Sequence, residues 1–307
     1  MIRVILYLVL YVIGISVTIA QVKSEGILLN NNDVELPGTL TYTQTNVPLI
    51  IWVHGSGNID RNGNQTPMIK ANYIKQFRDS INKHNIAFYS YDKRTATKKN
   101  IPILKNGVHI NDYVTDVKKA IYHFKNDKRF SKIILVGHSQ GSLVAMLASE
   151  KVDKLISIAG PGMSADKTII KQIQEKAPFL DSITIAHFKE LATTGKIENV
   201  NPMLISIFRK ENQSFLSSWI EYSPEKEIQK VKVPILIVNG DSDLQVKETD
   251  ARDLHKANPN AEIKIIKNMN HVLKEVNSNI ENQTSYLKPD YPLSSELIKT
   301  IVKFIKK

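Results

Sequence analysis

Residues 132–146 read KIILVGHSQGSLVAM. Ile133, Ile134, Leu135 and Val136 suit a strand buried on both faces, and Leu143, Val144, Ala145 and Met146 suit a packed helix. Between them, Gly137-His138-Ser139-Gln140-Gly141 leaves the chain one tight turn. A serine held where a strand reverses into a helix presents its hydroxyl at the top of the sheet, and the flanking glycines supply room. The helix beginning at about Gln140 would aim its free N–H groups and positive end at negative charge developing there. G-x-S-x-G alone is a weak signal. Set directly after an apolar strand and before a helix, it is a strong one.

Similar apolar runs occur at 48–57, 86–94, 154–160, 234–243 and 261–271. Helical periods at 68–84, 111–128, 141–151, 247–257 and 293–306 alternate with them. In 111–128, Val114, Val117, Ile121 and Phe124 share one face behind an expected Asn111 or Asp112 cap. Residues 27–43 alternate around Asn30-Asn31-Asn32 and Pro37-Gly38, which predicts an antiparallel hairpin. The expected fold is α/β: a mostly parallel, doubly wound sheet with an N-terminal hairpin. Its core would comprise 26–160 and 230–307, interrupted at 161–229 by a helical insertion. Ligands of open α/β sheets bind at the carboxyl ends of the strands, so the insertion is expected as a cap there. Its aromatics Phe179, Phe188, Phe208, Phe215 and Trp219 would wall a pocket or fill the insertion's own core.

A serine hydroxyl needs a base to take its proton, and that base needs a third group to orient it. Of eight histidines, His271 alone ends a strand run late in the chain, in KNMNHVLK, and is the expected base. His54 and His138 are expected to support the loops. In IVNGDSDLQV, Asp243 is the expected acid and Asp241 the residue that caps the turn. Ser139, Asp243 and His271 follow one another in the order used by triads of this strand–turn–helix type. A second glycine-bearing loop, WVHGSG, follows the run at 48–57 and lets a backbone N–H approach a substrate. Ser56 or Gly57 would supply that N–H, with Gln140 as the other oxyanion donor.

With these residues in place, the sequence resembles the α/β-hydrolases, and among them bacterial carboxylesterase-like serine hydrolases. The resemblance spans about 26–307 and is carried by HGSGNIDRNG, YDKR, GHSQG, the helical insertion, GDSD and NMNH. One group of such esterases follows YDKR with a G-x-G-x-S stretch; here TATKKN stands at 95–100, a change beside the pocket. The resemblance implies cleavage of carboxylic esters, of short-chain or small acyl groups, through an acyl-enzyme on Ser139, with no metal or organic cofactor. A serine peptidase, thioesterase or acyltransferase of the same fold is the alternative, and a non-catalytic binding protein on the same scaffold a more distant one. Asp60, Arg61, Asp92 and Arg94 read as loop-anchoring ion pairs in preference to an anion-binding cluster.

The 307 residues carry a formal charge of +11, but the lysines are spread along the chain, with no zinc-finger or ribonucleoprotein-type motif. The basic surface is read as solvated, nucleic acid is not an expected partner, and the expected partner is a small-molecule ester; oligomeric state stays open. Residues 1–20 carry Arg3, an apolar run from Val4 and small residues Thr18 and Ala20 ahead of Gln21. They read as a signal peptide cleaved near Ala20-Gln21, since Ser16 and Thr18 weaken the run as a lasting anchor. No stable membrane span is then expected after its removal. With no cysteine, the exported chain is expected in a bacterial periplasm or outside the cell.

Overall fold

In the computed structural model, which describes residues 21–307, the apolar runs become strands of one eight-stranded sheet. The segment 1–20, read above as a signal peptide, lies outside the described residues. The strands are β1 (Lys23–Asn31), β2 (Val34–Tyr42), β3 (Val47–Val53), a separate small pair β4 (Asn64–Gln65) and β5 (Ile69–Lys70), β6 (Ala87–Tyr91), β7 (Phe130–His138), β8 (Lys154–Ile158), β9 (Ile235–Gly240) and β10 (Glu262–Ile266). Across the sheet the order is β1-β2-β6-β3-β7-β8-β9-β10. The β1–β2 and β2–β6 pairs are antiparallel, and all later neighbours are parallel.

The helices are α1 (Tyr73–Asn82), α2 (Ile110–Phe124), α3 (Gln140–Ala148), α4 (Ala165–Lys176), α5 (Asp181–Thr194), α6 (Ile205–Phe208), α7 (Lys210–Ile220), α8 (Pro224–Lys230), α9 (Glu248–Ala257), α10 (Asn279–Thr284) and α11 (Ser295–Lys306). Side chains alternate across each strand, so the central sheet feeds two cores. Ile50, Trp52, Phe88, Ile134 and Val136 pack on one face with Phe77 of α1 and Ile301 of α11. Leu49, Ile51 and Leu135 pack on the other with Val117 and Ile121 of α2, Val144 of α3 and Leu254 of α9. Each such side chain contributes about 1.5–3 kcal/mol on burial, which is what drives both layers onto the sheet.

The boundaries depart from expectation in four places. Pro37-Gly38 does not turn the chain, because β2 keeps its ladder to β1 and β6 through it, and the turn falls at Asn32-Asp33. The helix expected from 68 starts at Tyr73, because Ile69-Lys70 pairs with Asn64-Gln65. Asn111 and Asp112 lie inside α2, whose cap is His109; the Asp112 carboxylate accepts the His109 N–H at 2.7 Å. The last strand stops at Ile266, so His271 stands in a loop beyond it.

The insertion is helical throughout. Leu180, Phe188, Leu191, Leu204, Phe208 and Leu216 give it a core of its own. Its last helix, α8, instead packs on α3 and α9 and adds Ile228 to the core beneath the sheet. Among the described residues, no helix is long and apolar enough to cross a membrane.

Candidate active site

Ser139 ends the climb of β7 with φ 55° and ψ −126°, a conformation that costs a non-glycine residue about 1–3 kcal/mol. It persists because the surroundings fix it. The Ser139 N–H donates to the Ile158 carbonyl at 2.9 Å, and the Ser139 carbonyl accepts the Ser142 N–H at 2.9 Å. A side chain at position 137 would place its Cβ 2.4 Å from the Gly141 oxygen, and one at 141 would lie 2.3 Å from the Val53 oxygen. Only glycine lets β7, α3 and the end of β3 meet this closely, and that contact forces the turn.

Two loops carry the polar partners. After β9, the chain turns so that Asp243 Oδ1 accepts the N–H groups of Gln245 at 2.7 Å and Val246 at 2.9 Å. Its Oδ2 accepts from His271 Nδ1 at 2.7 Å, leaving Nε2 as the second ring nitrogen of a buried imidazole. Burial pushes the Asp243 carboxyl up, but His271 and the two N–H groups outweigh it and hold the group below the usual carboxylate range. The His271 loop is pinned from several sides. His138 Nε2 donates to the His271 carbonyl at 2.8 Å. Asn270 Nδ2 donates to Ser285 Oγ at 2.7 Å, and Asn282 Nδ2 donates to the Ser242 carbonyl at 2.7 Å, so the acid and base loops are tied together. Asp241 caps no turn of its own; its carboxylate accepts the Asn268 N–H at 2.7 Å, joining the same loops. His54 Nε2 donates to the Tyr91 carbonyl, and burial pushes both His54 and His138 down to about 3.

Ser56 and Gln140 share with Ser139 a cavity of about 230 Å³, walled by Leu143, Pro161, Met163, Ile169 and Val246. Gly57 lies away from it, on a second, larger and more open cavity of about 710 Å³. Trp219, Ser56 and Gln140 border both. Of the insertion's aromatics, Trp219 and Phe215 reach these cavities, Phe188 and Phe208 fill the insertion's core, and Phe179 is exposed. Thr95 and Ile101, at the edges of the TATKKN stretch, line the larger cavity.

The four charged residues Asp60, Arg61, Asp92 and Arg94, in the loops that follow β3 and β6, form separate anchors. Arg61 grips Asp92 through two bonds of 2.6 and 2.9 Å, and Arg94 grips the buried Asp116 of α2 at 2.7 and 2.8 Å. Asp60 accepts the N–H groups of Asn62 and Asn64 in its own loop. The residue between the two pairs, Lys93, was not singled out by the sequence reading. It is buried; its Nζ donates to the Gly55 carbonyl at 2.7 Å and to Gln140 Oε1 at 3.3 Å, 4.2 Å from the Tyr113 ring centre. The only sequence signal is a lysine two residues past the end of an apolar strand. Among the described residues, no group of three or more His, Asp or Glu is arranged to hold a metal ion.

The BD-FAE family model matches residues 33–257. No curated protein matches the sequence. Among solved structures, Est1E from Butyrivibrio proteoclasticus is similar with a TM-score of 0.56 at 18% identity, covering 92% of this chain and 96% of its own. The esterase Pf2001 from Pyrococcus furiosus has a TM-score of 0.59 at 15% identity, with 92% and 90% covered. A bromoperoxidase from Bacillus anthracis has a TM-score of 0.57 at 16% identity, with 92% and 100% covered. At these identities the likeness establishes the fold, that of an α/β-hydrolase.

Proposed function

Because the chain belongs to the BD-FAE family, esterases of the α/β-hydrolase type, we propose that it cleaves carboxylic esters through an acyl-enzyme on Ser139. The observation that carries this reading is the 2.7 Å bond between Asp243 and His271 Nδ1, in loops beyond β9 and β10 on the side of the sheet where Ser139 turns. Asp243 then fixes the tautomer that leaves Nε2 unprotonated, and Nε2 takes the Ser139 proton as Oγ attacks the ester carbonyl. The oxyanion is received by the N–H groups of Gln140 and Ser56; Ser56 is preferred to Gly57 because it borders the cavity at Ser139. His271 returns the proton to the departing alcohol and next activates the water that frees the acid. The cavity of about 230 Å³ is below the usual size of a drug-like ligand site, which favours a small acyl group, with the alcohol in the larger cavity.

Turnover of p-nitrophenyl acetate and longer esters, beside amide and thioester analogues, tests the reaction class. Ser139→Ala should lose about 10⁵–10⁶-fold in kcat with circular dichroism unchanged, and a fluorophosphonate should label the wild type alone. Turnover retained in Ser139→Ala would sink the mechanism. Faster cleavage of amides than of matched esters would replace the esterase by a peptidase. The proposal also includes export after loss of residues 1–20, checked by N-terminal sequencing of the protein from its native cells. A mature chain that still starts at Met1 overturns that part.

A further inference from the structure

We infer that Lys93 is a positioning residue for the oxyanion hole, aiming the Ser56 N–H and adding its positive charge to the field at Ser139. This rests on the hydrolytic reading above and extends it to a residue that need not touch substrate. The Gly55 carbonyl and the Ser56 N–H belong to one planar trans unit and point in opposite directions. Holding the carbonyl at 2.7 Å from Lys93 Nζ therefore fixes where the Ser56 N–H points. Among the described residues, no backbone carbonyl accepts that N–H. The same Nζ reaches Gln140 Oε1 at 3.3 Å, so one ammonium group ties the Gly55–Ser56 peptide unit after β3 to Gln140 at the start of α3.

Among the described residues, no carboxylate lies within ion-pairing distance of Lys93. The carboxylate whose charge acts on Lys93 is Asp116 on α2, which is already gripped by Arg94. Asp92, its chain neighbour, is taken by Arg61. Also on α2, Tyr113 offers its ring face, and burial pushes its hydroxyl pKa up to about 12. From β3 the facing group is His54, neutral through burial. Across the larger cavity stand Lys105, Arg209 and Glu211, all exposed to solvent. The charge of Lys93 is thus left unspent by the fold and available to a developing oxyanion in a site of low dielectric.

Burial lowers its pKa to about 7, with Asp116 opposing, so the charge is present below that pH and lost above it. Charged donors bond about twice as strongly as neutral ones, so the oxyanion hole weakens as Lys93 deprotonates.

The test uses Lys93→Met on the mature chain with an activated ester. Removing a whole oxyanion donor costs about 10²–10³ in kcat, so a misaimed donor should cost about 10–100-fold, with KM changed less than about threefold. The wild type should lose about five- to tenfold in kcat between pH 7 and 9, and this alkaline fall should vanish in Lys93→Met. A variant with kcat within threefold of wild type overturns the inference, and so does a KM rise that accounts for the whole loss. If Lys93→Met does not fold, the wild-type profile decides: a fall supports the inference, and a flat line from pH 7 to 9 overturns it. Fluorophosphonate labelling of wild-type Ser139 is scored separately. A protein that is unlabelled and inactive refutes the hydrolytic reading itself, whatever Lys93 does.

Discussion

Ser139 stays at φ 55° because neighbouring atoms leave the chain no alternative. Each flanking glycine is required by a backbone oxygen on a different element: that of Gly141 for position 137 and that of Val53 for position 141. Gly141→Ala should therefore weaken the fold as well as the chemistry. With its Cβ 2.3 Å from a carbonyl that cannot rotate away, β3 and α3 must separate, at about 1–3 kcal/mol by urea unfolding. Activity on an activated ester should fall in the same variant, because the Ser139 turn and Gln140 move with α3. Unchanged stability would show that the turn is not held by this contact. The serine and both glycines were legible in the sequence because their spacing is local. Lys93 was not, because its role depends on a carbonyl at Gly55 and an amide at Gln140, both distant along the chain. A sequence shows that a lysine follows a strand, and only the sheet order shows which carbonyl it meets.

At the level of elements, the strand ends were read less well than the strands. The apolar run at 261–271 predicted a strand up to His271, yet β10 ends at Ile266. This is an edge strand with β9 as its sole partner, and Asp241 captures the Asn268 N–H while Asn268 turns to φ 59°. The chain leaves the sheet there, and the departure is what gives His271 a loop in which to meet Asp243. The insertion was legible as helical, but not in how its helices divide. Trp219 on α7 is the one aromatic of the insertion bordering both cavities, a place it shares with Ser56 and Gln140. Trp219→Ala should join the two cavities. One methylene in an apolar pocket is worth about 1–3 kcal/mol, so the ratio of kcat/KM for octanoyl over acetyl p-nitrophenyl esters should rise about tenfold or more. A ratio unchanged within twofold would place the acyl group elsewhere.

Outside the insertion, the described residues centre on an eight-stranded sheet between two apolar layers, and the alternation of its strands made that legible. Ile50 and Trp52 feed one layer, Leu49 and Ile51 the other. What patterning could not reveal is the polar chemistry buried where the layers meet the site. His54 and His138 are wholly buried and neutral, each giving one ring nitrogen to a carbonyl while Nδ1 has no partner. Their pKa values fall from an ordinary 6.5 to about 3 because burial penalises the imidazolium. In the unfolded chain both titrate normally, so below pH 6.5 the unfolded state binds more protons than the folded state and stability falls with pH. At pH 5 the difference from 6.5 is 1.5 units for each histidine, or about 2 kcal/mol apiece and about 4 together. Asp243, held below its ordinary value, acts in the same direction at lower pH. Urea unfolding at pH 7 and pH 5 measures this directly. The free energy of unfolding should drop by about 3–4 kcal/mol with little change in m-value; a drop of about 2 would mean that one imidazole takes up a proton inside the fold, and equal stabilities at the two pH values that both do.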